Sequence, residues 1–503
     1  MNDRIKGIIV SYMQVAVSLV VSFLYVPLLI TAIGDSEYGL YQMVGSFFSF
    51  INIFETSLSQ GVMKFYCDAK AKNDVKQMKH VLATAKNIYY LLSVISSIGS
   101  IFIVIIYNIF YQSSLTRYEL YESTLMLIIL LVNFIVSIIN APYLAVIYAN
   151  EKFAFARMLT MLTQIAQFVL CIVFIKIYPY AITIVIIQFI LNVVMTVIRC
   201  LYSKNTLNVF IGKKEHNNVL SRMMILFAGS ILLSTVADQI FWKTDQLILG
   251  KFYNTKYVAV YSVGMQLTMC YMNIGLVVSS VFFPKVSVLN SEDNADDNIS
   301  KLFVRTGTIC FILLLLILSG FVLFGKEFII LWAGRTYIEA YYIAIIVMLP
   351  FTIDIIQNIG LTILQVKGLY TFRSKMYLVS ASINVIGTAI FAYYFGGYGA
   401  AASTGISLLI VSGGIMNWYY IRYAKLNVKL FWKKIFIIIV RFIPIFISGF
   451  LIESIVETKS LYVSLIVKCI LYSILYVIWG YYFVINNEEK NLLKPIVNNF
   501  IKK

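Results

Sequence analysis

Residues 309–324 read ICFILLLLILSGFVLF, a run without a charged side chain. A helix needs about 20 apolar residues to cross the hydrocarbon core of a bilayer, which is about 30 Å thick. Comparable runs occur at 99–110 and 182–198, and no long polar region separates them. Only 13% of the 503 residues are charged, whereas soluble domains carry about 25%. The sequence therefore predicts an all-α polytopic membrane protein with no room for a soluble catalytic domain.

Fourteen transmembrane helices are predicted from these runs. In chain order, helices 1–14 cover 7–33, 38–63, 87–110, 120–148, 158–177, 179–199, 223–250, 257–284, 302–324, 338–365, 376–395, 397–420, 434–452 and 460–484. Turn signals at Pro179 and Gly396 divide two long apolar regions. Several spans exceed the minimum length, so we expect them to tilt or bend.

The distribution of the 40 Lys and Arg residues sets the orientation. With the N-terminus placed inside, most of them fall in loops on the cytoplasmic side, as the positive-inside rule requires. We therefore expect a multi-pass membrane protein with both termini in the cytoplasm. The net charge of +17 has this explanation, and no basic segment is long enough for a nucleic-acid-binding domain.

The sequence gives little support for a metal site, a disulfide framework or a nucleotide-binding site. The six cysteines lie far apart, and the two histidines lie in polar loops, so we predict neither a metal site nor a disulfide framework. The phosphate-binding pattern G-x-x-x-x-G-K-[ST] does not occur. We expect a transporter that does not use ATP directly, with no catalytic residues and no bound cofactor.

An internal repeat indicates how the helices are arranged. A shift of about 220 residues places Leu29 on Leu249 and residues 38–41 on 258–261, and a shift of 218 places Asn140 on Asn358. Both shifts map helix n onto helix n+6 in the same orientation, which is the pattern of a parallel repeat. We predict two six-helix lobes, 1–212 and 213–425. Residues 426–503 then add helices 13 and 14 and a cytoplasmic tail.

Three motifs carry a family resemblance. The first is Val26-Pro27-Leu28-Leu29, then Gly34, then Glu37-Tyr38-Gly39-Leu40-Tyr41. The second is Asp245-Gln246-Leu247-Ile248-Leu249-Gly250, then Val260-Tyr261 after Ala259, where the family usually has Gly. The third is Ile383-Asn384-Val385, then Gly397-Tyr398-Gly399-Ala400-Ala401-Ala402. The chain resembles the polysaccharide-biosynthesis flippases of the multidrug/oligosaccharidyl-lipid/polysaccharide (MOP) exporter superfamily.

The resemblance implies a fold, a cargo and partners. The two lobes would form a V around a central cavity that opens alternately to each side. The cargo would be an isoprenoid-diphosphate-linked oligosaccharide, moved to the outer leaflet for O-antigen lipopolysaccharide, capsule or exopolysaccharide assembly. Membrane lipid, a polysaccharide polymerase and chain-length proteins would be the partners. The candidate drivers are a proton gradient, a sodium gradient and the membrane potential.

Two other functions remain open at the level of sequence. A multidrug or small-molecule cation antiporter of the same superfamily needs only twelve helices and an acidic cavity without cations. An oligosaccharide polymerase or ligase would normally carry a large outside loop with paired charged residues, and the outside loops predicted here are short.

Ionisable groups inside the spans are the candidates for substrate or cavity residues, because a charge in hydrocarbon costs a few kcal/mol. With their polar neighbours they are Glu55, Asp238, Lys243, Asp245, Asp354, Gln357, Asn358, Arg441 and Lys468. Asp238 and Asp245 share one face of helix 7, opposite Lys243. Asp354, Gln357 and Asn358 form a stripe on helix 10. The alternative for Asp238, Glu55 and the helix 10 stripe is hydrogen bonding between packed helices. The alternative for Asp245 and Lys243 is pairing or snorkelling near the outer interface.

Arg441 and Lys468 each lie roughly 10 Å inside the membrane, counted along their helices at 1.5 Å per residue. Neither helix 13 nor helix 14 carries a carboxylate within its span that would neutralise them. We expect them to meet a diphosphate or carboxylates of the cavity. The alternatives are snorkelling for Lys468 and a structural pair of Arg441 with Glu55, Asp238 or Asp354. Residues 64–86, with six lysines, are predicted to form an amphipathic helix on anionic lipid.

Overall fold

The computed structural model describes residues 3–207, 209, 218–280, 283–290, 294–456 and 460–484. Every regular element in these ranges is helical. The all-α class predicted from the apolar runs is therefore confirmed.

The helices follow one another with short connections. The first eight are α1 Asp3–Ile33, α2 Asp35–Ala71, α3 Val75–Tyr111, α4 Arg117–Ala149, α5 Phe153–Ile175, α6 Ala181–Asn205, α7 Asn218–Phe252 and α8 Thr255–Ser280. The remaining eight are α9 Phe283–Leu289, α10 Ala295–Trp332, α11 Glu339–Ile356, α12 Ile359–Val366, α13 Tyr370–Leu408, α14 Met416–Arg422, α15 Val428–Ile455 and α16 Leu461–Trp479. π-helical segments cover Leu409–Ile415 and Gly480–Val484, and a 3-10 turn covers Arg335–Tyr337.

Membrane-spanning character is evident in the length and composition of these helices. Within the residues that the structure describes, 10 helices are long and apolar enough to cross a membrane. Predicted helix 10 corresponds to two shorter helices, α11 and α12, and predicted helices 11 and 12 both fall within the region from α13 to α14. The count of fourteen spans stays a prediction.

Two predicted turns lie where the sequence signals placed them. α5 ends at Ile175 and α6 begins at Ala181, on either side of Pro179. Gly396 interrupts α13 with φ 59° and ψ −136°, a conformation that glycine tolerates better than other residues. A Cβ at this position would also lie 2.8 Å from the Tyr257 hydroxyl. Glycine is therefore required here for two separate reasons.

The predicted amphipathic helix over 64–86 is wrong. α2 continues to Ala71, and a turn with Asn73 at φ 54° separates it from α3, which begins at Val75. The Asp74 carboxylate accepts a hydrogen bond from the Gln77 N–H at 2.8 Å and caps the new helix. Asp74 is the N-cap at which α3 starts. α2 and α3 are therefore two separate long helices, and both extend beyond the predicted apolar spans. The lysines belong to the ends of these helices.

The first compact unit is Met1–Ser262 with Val385–Ala400. In this unit α1 packs on α5, α2 packs on α4 and α7, and α4 packs on α6. α2 approaches the start of α8 so closely that a Cβ on Gly39 would clash with the carbonyl oxygen of Thr255. The glycine of the opening motif is therefore explained by helix packing.

The second compact unit is Val263–Asn384 with Ala401–Lys503. Here α10 packs against α11, α15 and α16, and α11 packs against the π segment Leu409–Ile415. The predicted lobes, 1–212 and 213–425, and their parallel repeat remain predictions.

The predicted orientation can be tested by thiol labelling in a cysteine-free background. Asn254→Cys, in the turn before α8, should react in intact cells with a reagent that does not cross membranes. Asn73→Cys, in the lysine-rich turn after α2, should react only after the membrane is opened. The difference is expected because loops rich in Lys and Arg stay in the cytoplasm. Labelling of Asn73→Cys in intact cells would contradict the topology.

Candidate functional site

α7 carries three predicted site residues, and two of them already have hydrogen-bond or other partners. Asp245 is 1% exposed and accepts hydrogen bonds from the Tyr261 hydroxyl at 2.5 Å and the Thr388 hydroxyl at 2.8 Å. Asp238 is half-buried and also has a partner. These contacts are hydrogen bonds between packed segments, in which neutral hydroxyls satisfy the buried carboxylate.

Lys243 differs from these carboxylates. It is half-buried on α7, and no carboxylate among the described residues acts on its ammonium group. Its neighbour Gln246 is buried, donates to the Ser262 hydroxyl at 2.9 Å and accepts from Ser46. Lys243 therefore offers a cation in the first unit that is not neutralised by a described acidic group.

A polar network surrounds the break between α11 and α12. Gln357 and Asn358 separate the two helices, and Gln357 has φ −96° and ψ 3°. The Ser412 hydroxyl, in the π segment Leu409–Ile415, donates to Asp354 at 2.6 Å. Gln357 donates to the side-chain oxygen of Asn417 at 3.1 Å. The stripe predicted on helix 10 is thus brought together with a π segment that the sequence did not reveal.

This arrangement has a recognisable chemical capacity. Broken transmembrane helices expose backbone groups and polar side chains at the depth where transporters bind substrates and ions. π segments within helices occur often at functional sites. Asn358 is half-buried and begins α12 beside this network. The network can therefore exchange hydrogen bonds with a polar cargo, or move when α12 moves.

Arg441 lies on the exposed side of α15. Its Nη1 donates to the Phe483 carbonyl at 3.0 Å, and the Trp479 indole donates to the Arg441 carbonyl at 2.8 Å. A carbonyl orients the guanidinium without neutralising its charge. Of the five N–H donors of an arginine, one is engaged by a described residue of the second unit. In the described part of that unit, no hydrogen bond or ion pair joins the other donors to a carboxylate.

Lys468 has a carboxylate partner that the sequence did not predict. It is 3% exposed, and its Nζ lies 2.7 Å from Oε1 of Glu327 on α10. The snorkelling alternative is therefore wrong, because the ammonium group turns inward to an ion pair. Glu327 was missed because residues 325–337 were assigned to an outside loop, whereas α10 continues to Trp332.

Two tyrosines explain why this ion pair forms. The Tyr472 hydroxyl donates to Ser319 at 2.7 Å, and the Tyr476 hydroxyl donates to the Ile312 carbonyl at 2.7 Å. Both bonds join α16 to α10 along one face. They fix the register in which Lys468 meets Glu327.

Glu55 lies in α2, and its side chain is outside the described residues.

A neutral polar cavity of about 160 Å³ lies between α1 and α5 in the first unit. Its lining consists of Ser18, Val21, Ser22, Tyr25, Gln164, Gln167 and Phe168. The Ser18 hydroxyl donates to Gln164 at 2.7 Å, and Gln14 donates to Ser18 at 2.8 Å. Sequence reasoning, which followed charges, missed this cavity. The signal was present in the spacing of Gln164 and Gln167, which share one face of a helix.

Larger cavities in each unit are apolar. One of about 520 Å³ lies in the first unit among α2, α3 and α4, with Phe47, Phe54 and Ile95 in its wall. One of about 230 Å³ lies in the second unit, where α10 and α11 meet α15 and α16. Hydrocarbon chains fit such surfaces, because apolar walls do not require hydrogen bonds from a ligand.

The long apolar helices, with the broken α11–α12 pair and the π segments, define a polytopic all-α membrane protein. The family described as "Polysaccharide biosynthesis protein" matches residues 29–342. The chain belongs to this family. The resemblance to the polysaccharide-biosynthesis family, which was based on the Glu37–Tyr41 motif and two further motifs, is confirmed.

Known proteins similar to this chain include a curated flippase and transporters of known structure. The "Probable low-salt glycan biosynthesis flippase Agl15" of Haloferax volcanii is 23% identical over 193 residues, which are 38% of this chain and 40% of that protein. The lipid II flippase MurJ, in an inward closed conformation, has a TM-score of 0.72 at 14% identity, over 95% of this chain and 98% of its own. An inward-facing multidrug resistance MATE transporter of the MOP superfamily has a TM-score of 0.67 at 12% identity, over 84% of this chain and 98% of its own. At these identities the solved structures show the fold alone.

Proposed function

We propose that this chain is a flippase that moves an isoprenoid-diphosphate-linked oligosaccharide from the cytoplasmic to the outer leaflet of a bacterial cytoplasmic membrane. It works by alternating access and serves the assembly of a surface polysaccharide. The observation that carries the proposal is the family match over residues 29–342. The contacts described above support the cargo class.

The neutral cavity between α1 and α5 supports a saccharide cargo. Sugar hydroxyls both donate and accept hydrogen bonds, and the Gln164 and Gln167 amides and the Ser18 hydroxyl do the same. A cationic drug would be favoured by a carboxylate, and the residues that line this cavity include none. The cavity suits a polar, uncharged group.

Arg441 and Lys243 support the diphosphate part of the cargo. An anion without a partner in an apolar medium is very costly. A guanidinium offers forked donors that match phosphate oxygens, and an ammonium group adds a compact charge. Both cations would repel a cationic drug, so they favour the flippase over the antiporter.

Deletion of the gene and analysis of the lipid fraction test this proposal. We expect surface polymer to be lost and a lipid-linked oligosaccharide to accumulate, and we expect the wild-type chain to reverse both. The accumulated sugar should resist an impermeant oxidant in intact cells, because it remains on the cytoplasmic leaflet. Expression of the Lys433→Glu chain in the deletion strain is a further control. This variant changes the surface charge of α15 and should restore export.

Other outcomes identify the competing functions. Accumulation of single repeat units that the oxidant reaches from outside would indicate a polymerase or ligase. Normal polymer, together with increased retention of cationic dyes in the cells, would indicate a drug antiporter. Either result would overturn the flippase assignment.

A further inference from the structure

Three carboxylates meet at one end of the first unit, where α2, α4 and α6 come together. They are Glu37 on α2 and Glu119 and Glu122 on α4. Glu119 accepts hydrogen bonds from the hydroxyls of Ser36 at 2.9 Å and Thr255 at 2.8 Å. Hydroxyl donors satisfy this carboxylate. The other two carboxylates have a different environment.

Glu37 and Glu122 both lie at the N-terminus of α6. The Ala181 N–H donates to Oε2 of Glu37 at 2.8 Å, and the Ile182 N–H donates to Oε1 of Glu122 at 3.5 Å. The first N–H groups of a helix have no partner within the helix and carry partial positive charge. Each carboxylate therefore has one oxygen engaged by α6.

The remaining oxygen of Glu122 lacks a conventional donor. Glu122 is 4% exposed, and its Oε2 has no hydrogen-bond donor among the described residues. The carboxyl groups of Glu122 and Glu37 lie beside each other, because they accept from consecutive N–H groups at the start of α6. Two ionised carboxylates have only acceptors to offer each other. A hydrogen bond between them forms only when one of them carries a proton.

We infer that Glu37 and Glu122 share one proton and form a proton-binding site that holds the ends of α2, α4 and α6 together. Like charges at this range cannot both be ionised without a large cost, as in other carboxyl pairs. No assigned function of this chain includes such a site.

The electrostatics of Glu37, which precedes predicted helix 2, agree with this geometry. Burial, followed by the hydrogen bond and the charge of Glu122, raises the pKa of Glu37 from 4.5 to about 7 against the opposing effect of the Ala181 N–H. The titratable groups that face the pair are Tyr118 and Glu119 on α4, and the Tyr118 hydroxyl lies beside the carboxyl group of Glu122. Tyr180 beside α6 faces Tyr118, and Tyr107 of α3 faces Glu119. None of these groups is a cation.

Loss of the proton would act on the contact between α2 and α8. Ser36 and Glu119 both bind the Thr255 hydroxyl at the start of α8, and Gly39 touches the Thr255 backbone. Two charges on the pair would repel each other directly beside this contact. If the proposed function is correct, the pair lies on the predicted outer side, where a proton gradient can act on the opening of the transporter. That coupling role rests on the proposed function.

The sign of the pH dependence follows from the raised pKa of Glu37. Between pH 4.5 and about 7 the folded chain keeps a proton that the unfolded chain has released. Stability therefore falls as pH rises through this window and levels off above it. Proton binding stabilises the folded state at the lower end of the window.

Infrared spectroscopy of the purified full-length chain in lipid vesicles tests the site without any substrate. We expect a carboxylic-acid carbonyl band in the wild type at low pH that is lost as pH rises through about 7. Glu122→Gln should lose this titrating band, because its amide supplies a permanent donor to Glu37 and keeps the fold. Glu37→Gln should lose the band as well. Glu119→Gln is the matched control, and it should retain the band and lose only stability.

Three outcomes would overturn the inference. The band could persist in both Glu122→Gln and Glu37→Gln, or be absent from the wild type at every pH. Sodium added at constant pH could replace the proton and remove the band, which would make the site a cation site. A fourth result bears on the coupling role alone. If Glu122→Gln exports polymer with the wild-type dependence on external pH, the coupling role is overturned. The flippase assignment is not affected by that result.

Discussion

Replacing Arg441 with Glu is expected to abolish export of surface polymer while leaving the protein inserted in the membrane. The guanidinium is exposed on α15 and makes its described hydrogen bond to the Phe483 carbonyl, so its charge remains available to a diphosphate. Removing a charged hydrogen bond costs about 1.5–3 kcal/mol, which slows transport by about ten- to a hundredfold. A reversed charge adds repulsion. Export is measured by surface polymer at equal protein levels.

Two variants make the Arg441 prediction specific. Arg441→Lys should retain partial activity, because the charge survives while the bidentate geometry does not. Lys433→Glu makes the same kind of charge change on the same helix, at an exposed position, and should export polymer normally. Equal loss in both glutamate variants would indicate a general effect of surface charge.

A structural pair is the competing explanation for Arg441. Glu55, Asp238 and Asp354 are the partners to test, because the hydrogen bond that Asp354 accepts from Ser412 leaves acceptor capacity on its carboxylate. Arg441→Glu combined with Glu55→Arg, with Asp238→Arg or with Asp354→Arg separates the two explanations. Full rescue of export by any of these swaps would mean that the charges pair for stability, and the phosphate role would be discarded.

The sequence was sufficient to predict the all-α class because burial in lipid depends on local composition. A run such as 309–324 has no stable alternative to a helix in hydrocarbon, where every backbone group needs a partner within the segment. Turns at Pro179 and Gly396 were predictable for similar local reasons. The amphipathic helix over 64–86 failed because a single N-cap, Asp74, determines where α3 begins.

The site depended more on contacts between distant segments, which periodicity does not reveal. Glu37 and Glu122 are 85 positions apart in the sequence, and they meet only because α2, α4 and α6 pack at one end. Glu327 was missed through an error in a helix boundary, and its pairing changed the interpretation of Lys468. Arg441 was selected from the sequence because a lone cation in an apolar run is informative by itself, and its role in the site stays a prediction.

Replacing Lys468 with Met should destabilise the protein by about 3–5 kcal/mol, because it leaves Glu327 partly buried without its cation. One oxygen of Glu327, Oε2, already has no hydrogen-bond partner among the described residues. Lys468→Met combined with Glu327→Gln removes both charges and should recover most of the stability. Thermal unfolding of the purified protein measures the effect. Lys326→Met, one residue from Glu327 on the same helix and exposed, is the control and should change stability little.

Export by these variants then separates a packing role of Lys468 from a role in transport. If the ion pair only joins α10 to α16, the double variant should export polymer as well as it folds, since Tyr472 and Tyr476 still fix the register of the two helices. If Lys468 binds the diphosphate, the double variant should be stable and inactive. The 2.7 Å contact favours the first outcome, because an ammonium group that is already neutralised attracts a second anion weakly. Stable, inactive protein would return Lys468 to the substrate path beside Arg441.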